Sequence, residues 1–541
     1  MSQITLPLSH PRSCEHRIRE VWRSPGRFTK NPDMVRLPSG RQLLVYSDND
    51  QHWSQEEQIL TILASDDQGL SWSKLSEVYR ADLRKGEERL VTPRLSRLND
   101  GRLVVIIDHN DWGHFHEDQP FGNWLFWSAD EGRTWSSPQE CAVPGFEPDR
   151  ILDLADGRLI VGSQVMRRTS QAFAEVVSVS EDRGRTWREL ATIAHDGYHI
   201  HCEGGIALLE DSGQHLACVM RENHNNGIPN HVSFSHDGGR SWSAPQCLPF
   251  ALHRPYVARL RDGRHLVTGR HMNGGLGAYA WAGDLAREAG TWQVGGPPAP
   301  SDVAIEDGAL LIRNATDQRA GRYCLYPPED SYSSASIEVS LQVEGPDPAQ
   351  PVAVLSLSNL QLNQGSSCSL AIAPGGVMLG GQRGADCFRR LDMTVKRTVR
   401  LEHRQGLLTV HVDGQRLLSG CVYGSTWRAK DGNTANHERR TVFGQLGERG
   451  CSRWYTVDYR TENRTLPARQ WRWLASDGPP DRYQRERLTL LHANVRPGGD
   501  HGYSSWLQLP DGRISFVDYS NHGDEHGKSH LVGGIFEPTE L

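Results

Sequence analysis

Residues 128–135 read SADEGRTW, and the pattern S-x-D-x-G-x-[ST]-W returns at 65–72 (SDDQGLSW), 180–187 (SEDRGRTW) and 235–242 (SHDGGRSW). In each copy an Asp stands where it can accept backbone N–H bonds, a Gly supplies a positive φ, and a Trp packs beneath the reversal. Each copy follows an apolar or alternating run, such as EQILTILAS or HVSFS, which reads as a strand. Asp67, Asp130, Asp182 and Asp237 are therefore assigned to turn formation and not to chemistry.

A second repeat, L-x-[DNS]-G-R followed by apolar residues, signals a hairpin around a Gly turn. It occurs in LPSGRQLLVY, LNDGRLVVII, LADGRLIVGS, LRDGRHLVTG and LPDGRISFVD, with a weaker copy in LLEDSGQHLACVM. The turn glycines are Gly40, Gly101, Gly157, Gly213, Gly263 and Gly512, so successive spacings are 61, 56, 56, 50 and 249. Six units of about 50 residues, with four short strands each, read as the blades of a β-propeller. The last interval holds an insertion of roughly 190–200 residues beyond that period. Residues 296–465 lack both repeats and alternate apolar with polar residues, as in SASIEVSLQVEG, which reads as a β-sandwich. The expected architecture is all-β, a six-bladed β-propeller with a β-sandwich inserted between blades five and six. Residues 1–295 would hold blades one to five, 296–465 the sandwich, and 466–541 blade six. The N-terminal segment near HRIREVWRSP is expected to pair with the last blade and close the ring, which leaves few exposed strand edges.

Composition narrows the function classes. Abundant Gly (54), Pro (29) and Trp (16) suit short strands joined by turns better than a helical bundle. Lys and Arg number 59 against 66 Asp and Glu, a net charge of −7 with no basic run, which argues against non-specific nucleic-acid or membrane-surface binding. No stretch of roughly 18 apolar residues exists, so no membrane span is expected. The opening residues, MSQITLPLSHPRSCEHRIRE, carry no signal-peptide pattern, and a cytoplasmic location is the expectation. Ten scattered cysteines without a CxxC read as reduced and buried, with neither a disulfide framework nor a Cys-based zinc site.

With the Gly turn at one end of each hairpin, the start of its first strand and the end of its second meet at the opposite end, around the mouth. The strand starts carry Lys30-Asn31-Pro32-Asp33, Thr92-Pro93-Arg94, Glu147-Pro148-Asp149-Arg150, His201-Cys202-Glu203, His253-Arg254-Pro255-Tyr256 and His501-Gly502-Tyr503. The strand ends carry Asp48-Asn49-Asp50, Asp108-His109, Arg221-Glu222-Asn223-His224, Arg270-His271 and Asp518-Tyr519. Every unit thus offers polar or charged side chains at one face, a pocket rich in cations and suited to an anionic ligand.

The S-x-D-x-G-x-[ST]-W turns resemble the Asp boxes of sialidases (neuraminidases) and related propellers, over residues 20–290 and 480–535. The 296–465 region resembles the concanavalin-like (laminin-G-like) sandwiches attached to several sialidases. The resemblance implies an exo-acting, retaining glycoside hydrolase that releases a terminal acidic sugar from an oligosaccharide. Its parts would be a Tyr nucleophile assisted by Glu, an Asp acid/base and arginines on the substrate carboxylate. Such a carboxylate would repel a carboxylate nucleophile, whereas a neutral Tyr activated by Glu avoids this. GYSSWLQLPDGRISFVDY resembles the segment around the nucleophile and points to Tyr503; HCEGGIALLEDSGQHLACVMRE points to Glu203 and Arg221. Asp50 (or Asp48) lies after the first hairpin, where the acid/base would belong. Lys30, Arg94, His109, Arg254, Arg270 and Asp518 complete the expected substrate-binding set. The chain departs from the family with Lys30 where the first arginine stands, and with Asp518-Tyr519 in place of Tyr-Glu. An acidic sugar is therefore implied without being fixed as sialic acid.

Histidines open an alternative. His109, His114, His116, His199, His201, His224, His253, His271, His501, His522 and His526 fall largely in mouth-facing segments. A His suits proton abstraction near neutrality, so a lyase on uronate-containing glycans, or a glycosidase acting beside a uronic acid, is the second reading, with His201 in acid–base chemistry. A noncatalytic glycan-binding propeller is the third. The His-x-His pairs 199/201 and 114/116 share a strand face, but no carboxylate/His set has decisive spacing, so no metal and no cofactor are expected. The sandwich reads either as a sugar-binding module or as a packing or dimer-forming one, so a homodimer is one expectation.

Overall fold

The computed structural model describes residues 6–7, 12–109, 122–167, 172–197, 199–224, 227–272, 277–296, 302–313, 321–327, 333–357, 368–379, 388–404, 407–421, 440–446, 449–463, 467–494 and 499–541. Strands dominate them, and the α-helices among them are the short Leu285–Glu288 and Arg482–Arg487. None is long and apolar enough to cross a membrane. Six small antiparallel sheets share one plan. The first runs through Phe28–Arg36, Gln42–Asn49, Glu57–Ser65 and Ser73–Asp82; the second through Arg94–Arg97, Leu103–His109, Gly122–Ser128 and Gln139–Cys141. The third is Leu152–Asp153, Leu159–Arg167, Ala172–Ser180 and Arg188–Ala194; the fourth is His201–Leu208, Leu216–Glu222, His231–Ser235 and Gln246–Cys247. The fifth opens with Leu252–Arg259, His265–His271 and Gly277–Gly283; the sixth with His501–Gln508, Ile514–Ser520 and His530–Phe536.

Both sequence repeats sit where their chemistry requires. Each L-x-[DNS]-G-R copy joins a first strand to a second: at Gly101 (φ +89°) the Leu98 N–H donates to Arg102 O at 2.9 Å and the Gly101 N–H to Leu98 O at 3.0 Å. Each S-x-D-x-G-x-[ST]-W copy joins a third strand to a fourth in the first four sheets. In the second sheet, Asp130 Oδ1 accepts from Ser128 Oγ (2.8 Å) and Thr134 N (2.9 Å), and Oδ2 accepts from Thr134 Oγ1 (2.7 Å). Ser128 Oγ in turn accepts from Gly132 N at 2.9 Å, and Trp135 Nε1 donates to Gly132 O at 3.2 Å.

The apolar runs are nearly continuous because the inner strands are covered on both faces, and alternate residues point to opposite sides. Leu43 and Val45 of the first sheet pack with Leu103, Val105 and Ile107 of the second, while Leu44 and Tyr46 pack with Val517, Tyr519 and Leu531 of the sixth. Val104 and Ile106 meet Leu159 and Val161 of the third. Ile160 and Val177 meet Ile206 and Cys218 of the fourth. Val219 and Val232 meet Val257 and Trp281 of the fifth, and Leu266 and Ala280 meet Trp506 and Phe516 of the sixth.

Between the third and fourth strands of the fifth sheet, the chain builds two larger sheets over residues 302–474, one of six strands and one of eight to which Leu6–Pro7 adds a ninth. They share one apolar core, with Ile337, Val399 and Trp454 on one side and Leu355, Ile372 and Phe443 on the other. This layout corrects two expected boundaries. Arg469–Leu474, beyond the expected end at 465, still pairs with Cys451–Glu462. Leu488–Ala493 pairs antiparallel with Gly277–Gly283 (Tyr279 opposite Leu490), so the interruption falls inside the fifth unit and not between the fifth and sixth. The repeat motif marks only a first hairpin. The fifth unit has no S-x-D-x-G-x-[ST]-W turn, so its third strand takes a later apolar strand to satisfy its open edge. Arg19–Trp22 pairs with His530–Phe536 (Arg19 opposite Gly533) and completes the sixth sheet from the other end of the chain. Cys14, Cys141, Cys202, Cys218, Cys247, Cys324 and Cys451 are free thiols.

Hydrogen bonds from the Ser71, Thr134 and Thr186 hydroxyls hold the carboxyls of Asp67, Asp130 and Asp182 down at about 2, below the usual 3.8. A carboxylate depressed in the folded chain adds stability above its unfolded pKa and loses it as pH falls through the folded one. The contribution of these turns to the thermal midpoint should be complete above about pH 4 and be lost toward about pH 2. Asp130→Ala should cost about 1 kcal/mol at pH 7 and make the acid decline shallower in thermal scans. An acid decline as steep as that of the unaltered chain would remove the turn from this role.

Candidate active site

The first strands of the small sheets carry a recurrent backbone irregularity. Pairing slips between Lys30 and Asp33, Cys202 and Gly205, His253 and Tyr256, and Gly502 and Ser505. The bulged residues Asn31 (φ +54°), Glu203 (+48°), Arg254 (+51°) and Tyr503 (+60°) are left-handed, as is Glu147 (+49°) ahead of the third sheet. A non-glycine residue there costs on the order of 1–2 kcal/mol. The same cost repeated in five of six units is the mark of a position kept for a purpose, because a bulge re-aims a side chain that the strand would otherwise bury.

Three of these side chains meet. The Tyr503 hydroxyl lies 3.0 Å from Glu147 Oε1 and 3.4 Å from Glu203 Oε1, residues 356 and 300 positions before it. Arg221 pairs with Glu203 Oε1. The Arg254 guanidinium sits 5.4 Å from the Tyr503 ring and donates to Glu147 O (3.2 Å) and Pro148 O (2.9 Å). Neighbouring groups set the bulges. Gln164 accepts from Glu203 N (2.9 Å) and donates to Glu147 Oε2 (3.0 Å). Asp108 accepts from Thr92 N (2.8 Å) and Glu147 N (3.1 Å).

The electrostatics separate the two carboxyls. Burial pushes Glu203 up, but Arg221 and then Arg254 more than offset this and hold it below the usual range. Burial, and then the Glu203 charge, push Glu147 up. The two carboxyls are thus pushed in opposite directions, Glu203 toward the ionised form and Glu147 toward the protonated one. Burial and both carboxyls raise the Tyr503 phenol well above its ordinary value, so it needs a base to become a nucleophile.

The remaining expected site residues divide. Lys30 is buried, with Nζ 4.9 Å from the ring of the exposed Trp53; burial lowers it to about 8, against the attraction of Asp500, Asp108 and Glu147. Arg94 is buried, its Nε and Nη1 have no hydrogen-bond partner, and burial followed by the Arg254 charge lowers it to about 10. Arg270 is half-buried; its charge acts on Glu203 and Asp500, and Nη1 reaches His501 O at 3.5 Å.

Four residues are engaged differently from expectation. The Asp50 carboxylate closes its own loop, accepting from Ser54 Oγ, Gln55 N (3.1 Å) and Glu56 N (3.2 Å). These bonds outweigh burial and keep it ionised, which does not suit a proton donor. Asp518 accepts from Gly502 N (3.1 Å), Tyr519 N (2.7 Å) and His492 Nε2 (2.9 Å) and is fully buried, so it holds the Tyr503 bulge. His109 stacks on Trp124 at 4.2 Å and pairs with Glu88; a Cβ at Gly122 would come within 2.3 Å of its ring. His201 sits with His199 and His231, at ring distances of 5.3 and 5.0 Å. His114 and His116 lie outside the described residues.

Two groups escaped the sequence reading. Glu147 was among the strand starts but had no role there; aligning Asn31-Pro32-Asp33, Glu147-Pro148-Asp149 and Arg254-Pro255-Tyr256 places it level with Glu203 and Tyr503. Asp500 pairs with His52 and accepts from Tyr519 Oη at 2.8 Å. No local pattern marks it.

Residues 65–273 match the model of the BNR repeat-like domain. A search of curated proteins returned no match. Among solved structures, the chain is similar to a Dyadobacter fermentans protein of unknown function, at 16% identity over 57% of this chain and 94% of that one, with a TM-score of 0.43. A Trypanosoma rangeli sialidase mutant displaying trans-sialidase activity aligns at 12% identity over 86% and 96%, with a TM-score of 0.38. A Penicillium chrysogenum α-L-arabinanase complexed with arabinobiose aligns at 16% identity over 55% and 92%, with a TM-score of 0.40.

Anion binding should report on Lys30. A buried lysine lowered to about 8 loses its charge as pH rises through that value. Affinity for an acidic monosaccharide, followed by titration calorimetry, should therefore fall between neutrality and mildly alkaline pH. In Lys30→Arg part of that fall should vanish, because guanidinium stays charged. Identical profiles would exclude Lys30 from the anion site.

Proposed function

We propose that the six small sheets are the blades of a closed six-bladed β-propeller, with residues 302–474 as a concanavalin-like sandwich set into the fifth. The supporting observation is the cyclic series of shared cores, in which the sixth sheet packs on the first. On this reading the bulged first strands ring one mouth, and the protein is a glycoside hydrolase that removes a terminal acidic sugar from an oligosaccharide. One observation carries the chemistry: the Tyr503 hydroxyl lies between the Glu203 and Glu147 carboxyls, beside Arg221 and Arg254.

Glu203 accepts the phenolic proton as Tyr503 Oη attacks the anomeric carbon and the bond to the aglycone oxygen breaks, that oxygen taking its proton from solvent water. Arg254, over the ring, stabilises the developing phenolate charge. Water then cleaves the tyrosyl–sugar bond, Tyr503 recovers its proton, and the double displacement retains configuration. Arg221, Arg270 and Lys30 supply positive charge for the sugar carboxylate, with Lys30 acting as a point charge and not as a bidentate grip. The histidine-based elimination reading is weaker, because His109 is committed to Glu88 and Trp124, and His201 lies among other imidazoles.

Mass spectrometry of products from sialylated and uronate-containing oligosaccharides tests this. Hydrolysis products gain the mass of water, whereas cleavage without that gain means elimination and overturns the reading. Tyr503→Phe should abolish turnover with the fold intact. Glu203→Gln should lower kcat roughly 10²–10⁴-fold, whereas Glu147→Gln, which keeps a neutral hydrogen-bonding group, should lose less than about tenfold. The reverse order would exchange the roles of the two carboxyls.

A further inference from the structure

A second cluster of chemically capable side chains lies apart from the Tyr503 group. His201 opens the first strand of the fourth small sheet, His231 opens its third strand, and His199 stands two residues before His201. The three rings form a nearly equilateral triangle, with centroids 5.3, 4.8 and 5.0 Å apart, and one nitrogen from each falls within 4.8 Å of the other two. All three side chains are buried. Both ring nitrogens of His201 and Nδ1 of His231 have no hydrogen-bond partner. Buried polar atoms are normally satisfied, so three imidazoles turned toward one another are poorly explained as packing.

The surroundings have the second layer that metal-binding imidazoles use. The Asp196 carboxylate holds His199 Nδ1 at 2.5 Å and also accepts the His199 N–H at 2.9 Å, which fixes the ring and leaves Nε2 as the ligand atom. The Tyr326 hydroxyl lies 3.5 Å from His231 Nε2, so Nδ1 is the ligand atom there. Arg469, stacked on Tyr326 at 3.9 Å, opposes a cation, but the carboxylates of Asp196 and Glu222 both act on His201 and favour one.

The geometry points to a binding site for one divalent transition-metal ion of the zinc class, held by His199, His201 and His231 with Asp196 behind His199. Three neutral imidazoles suit zinc over calcium or magnesium, which take oxygen ligands. The ion would tie the first strand of the fourth sheet to the third, two residues ahead of Glu203, and so anchor the strand that presents the base. The proposal does not depend on the hydrolase reading, since the same anchoring would serve any use of that mouth.

The full-length protein, incubated with zinc chloride and desalted, should retain one zinc per chain by plasma mass spectrometry. Cobalt chloride should give the visible absorption of a low-coordinate nitrogen site. His231→Gln should reduce retained zinc to background with an unchanged circular dichroism spectrum, and Asp196→Asn should weaken zinc affinity roughly 10–100-fold. A folded wild-type chain that retains no zinc overturns the proposal, as does His231→Gln with a full equivalent. Should His231→Gln fail to fold, Asp196→Asn decides, and an affinity equal to wild type overturns it.

Discussion

The structure depends on the burial of the inner strands of each small sheet on both faces. A strand such as Leu43–Val45 presents one set of side chains to the sheet ahead and the other to the sheet behind. No sheet can satisfy both faces alone, so each one's stability is borrowed from two neighbours. Polar chemistry is thereby confined to the strand ends. The turns at one end are occupied by folding devices, the L-x-[DNS]-G-R hairpins, and the opposite strand starts are left for function.

The bulges turn that constraint into a site. Without the left-handed residue, the Glu203 and Tyr503 side chains would follow the strand's alternation into an apolar interface, where an ionised carboxyl is untenable. The bulge moves them out of the alternation and brings them together with Arg221 and Arg254, which offset the cost of their burial. Glu147 and Glu203 are chemically alike, yet Arg221 stands beside only one of them. That single asymmetry separates a proton holder from a proton acceptor.

The sequence carried the repeating layout well because its signals are local. Gly101 and Asp130 act on residues within a few positions, so their spacing is itself the mechanism. Tyr503, Glu203 and Arg254 could be grouped from the sequence because the same strand position recurs unit after unit, and Arg221 because it stands near the end of the strand that pairs with Glu203's own. The roles of Asp518 and Asp50 were not legible, because whether a carboxylate is free depends on which N–H groups surround it, and those are set by backbone geometry. The split fifth sheet was hidden for a related reason: an outer strand such as Leu488–Ala493 carries no motif, only apolar residues that fit an open edge. Asp500 and His52 meet across some 450 residues and leave no trace in either segment.

The sixth sheet takes its outer strand from Arg19–Trp22, which lies beside His530–Phe536. During synthesis that strand leaves the ribosome long before the partner beside which it lies. Until then the first sheet lacks its neighbour across the seam, and a strand edge stays open to other chains. The contact between Arg19–Trp22 and His530–Phe536 is among the longest-range in sequence, so it carries a loop-closure entropy that local pairings do not. Since Tyr503 belongs to the sixth sheet and Lys30 to the first, the contact between these two sheets also holds the two sides of the candidate site together.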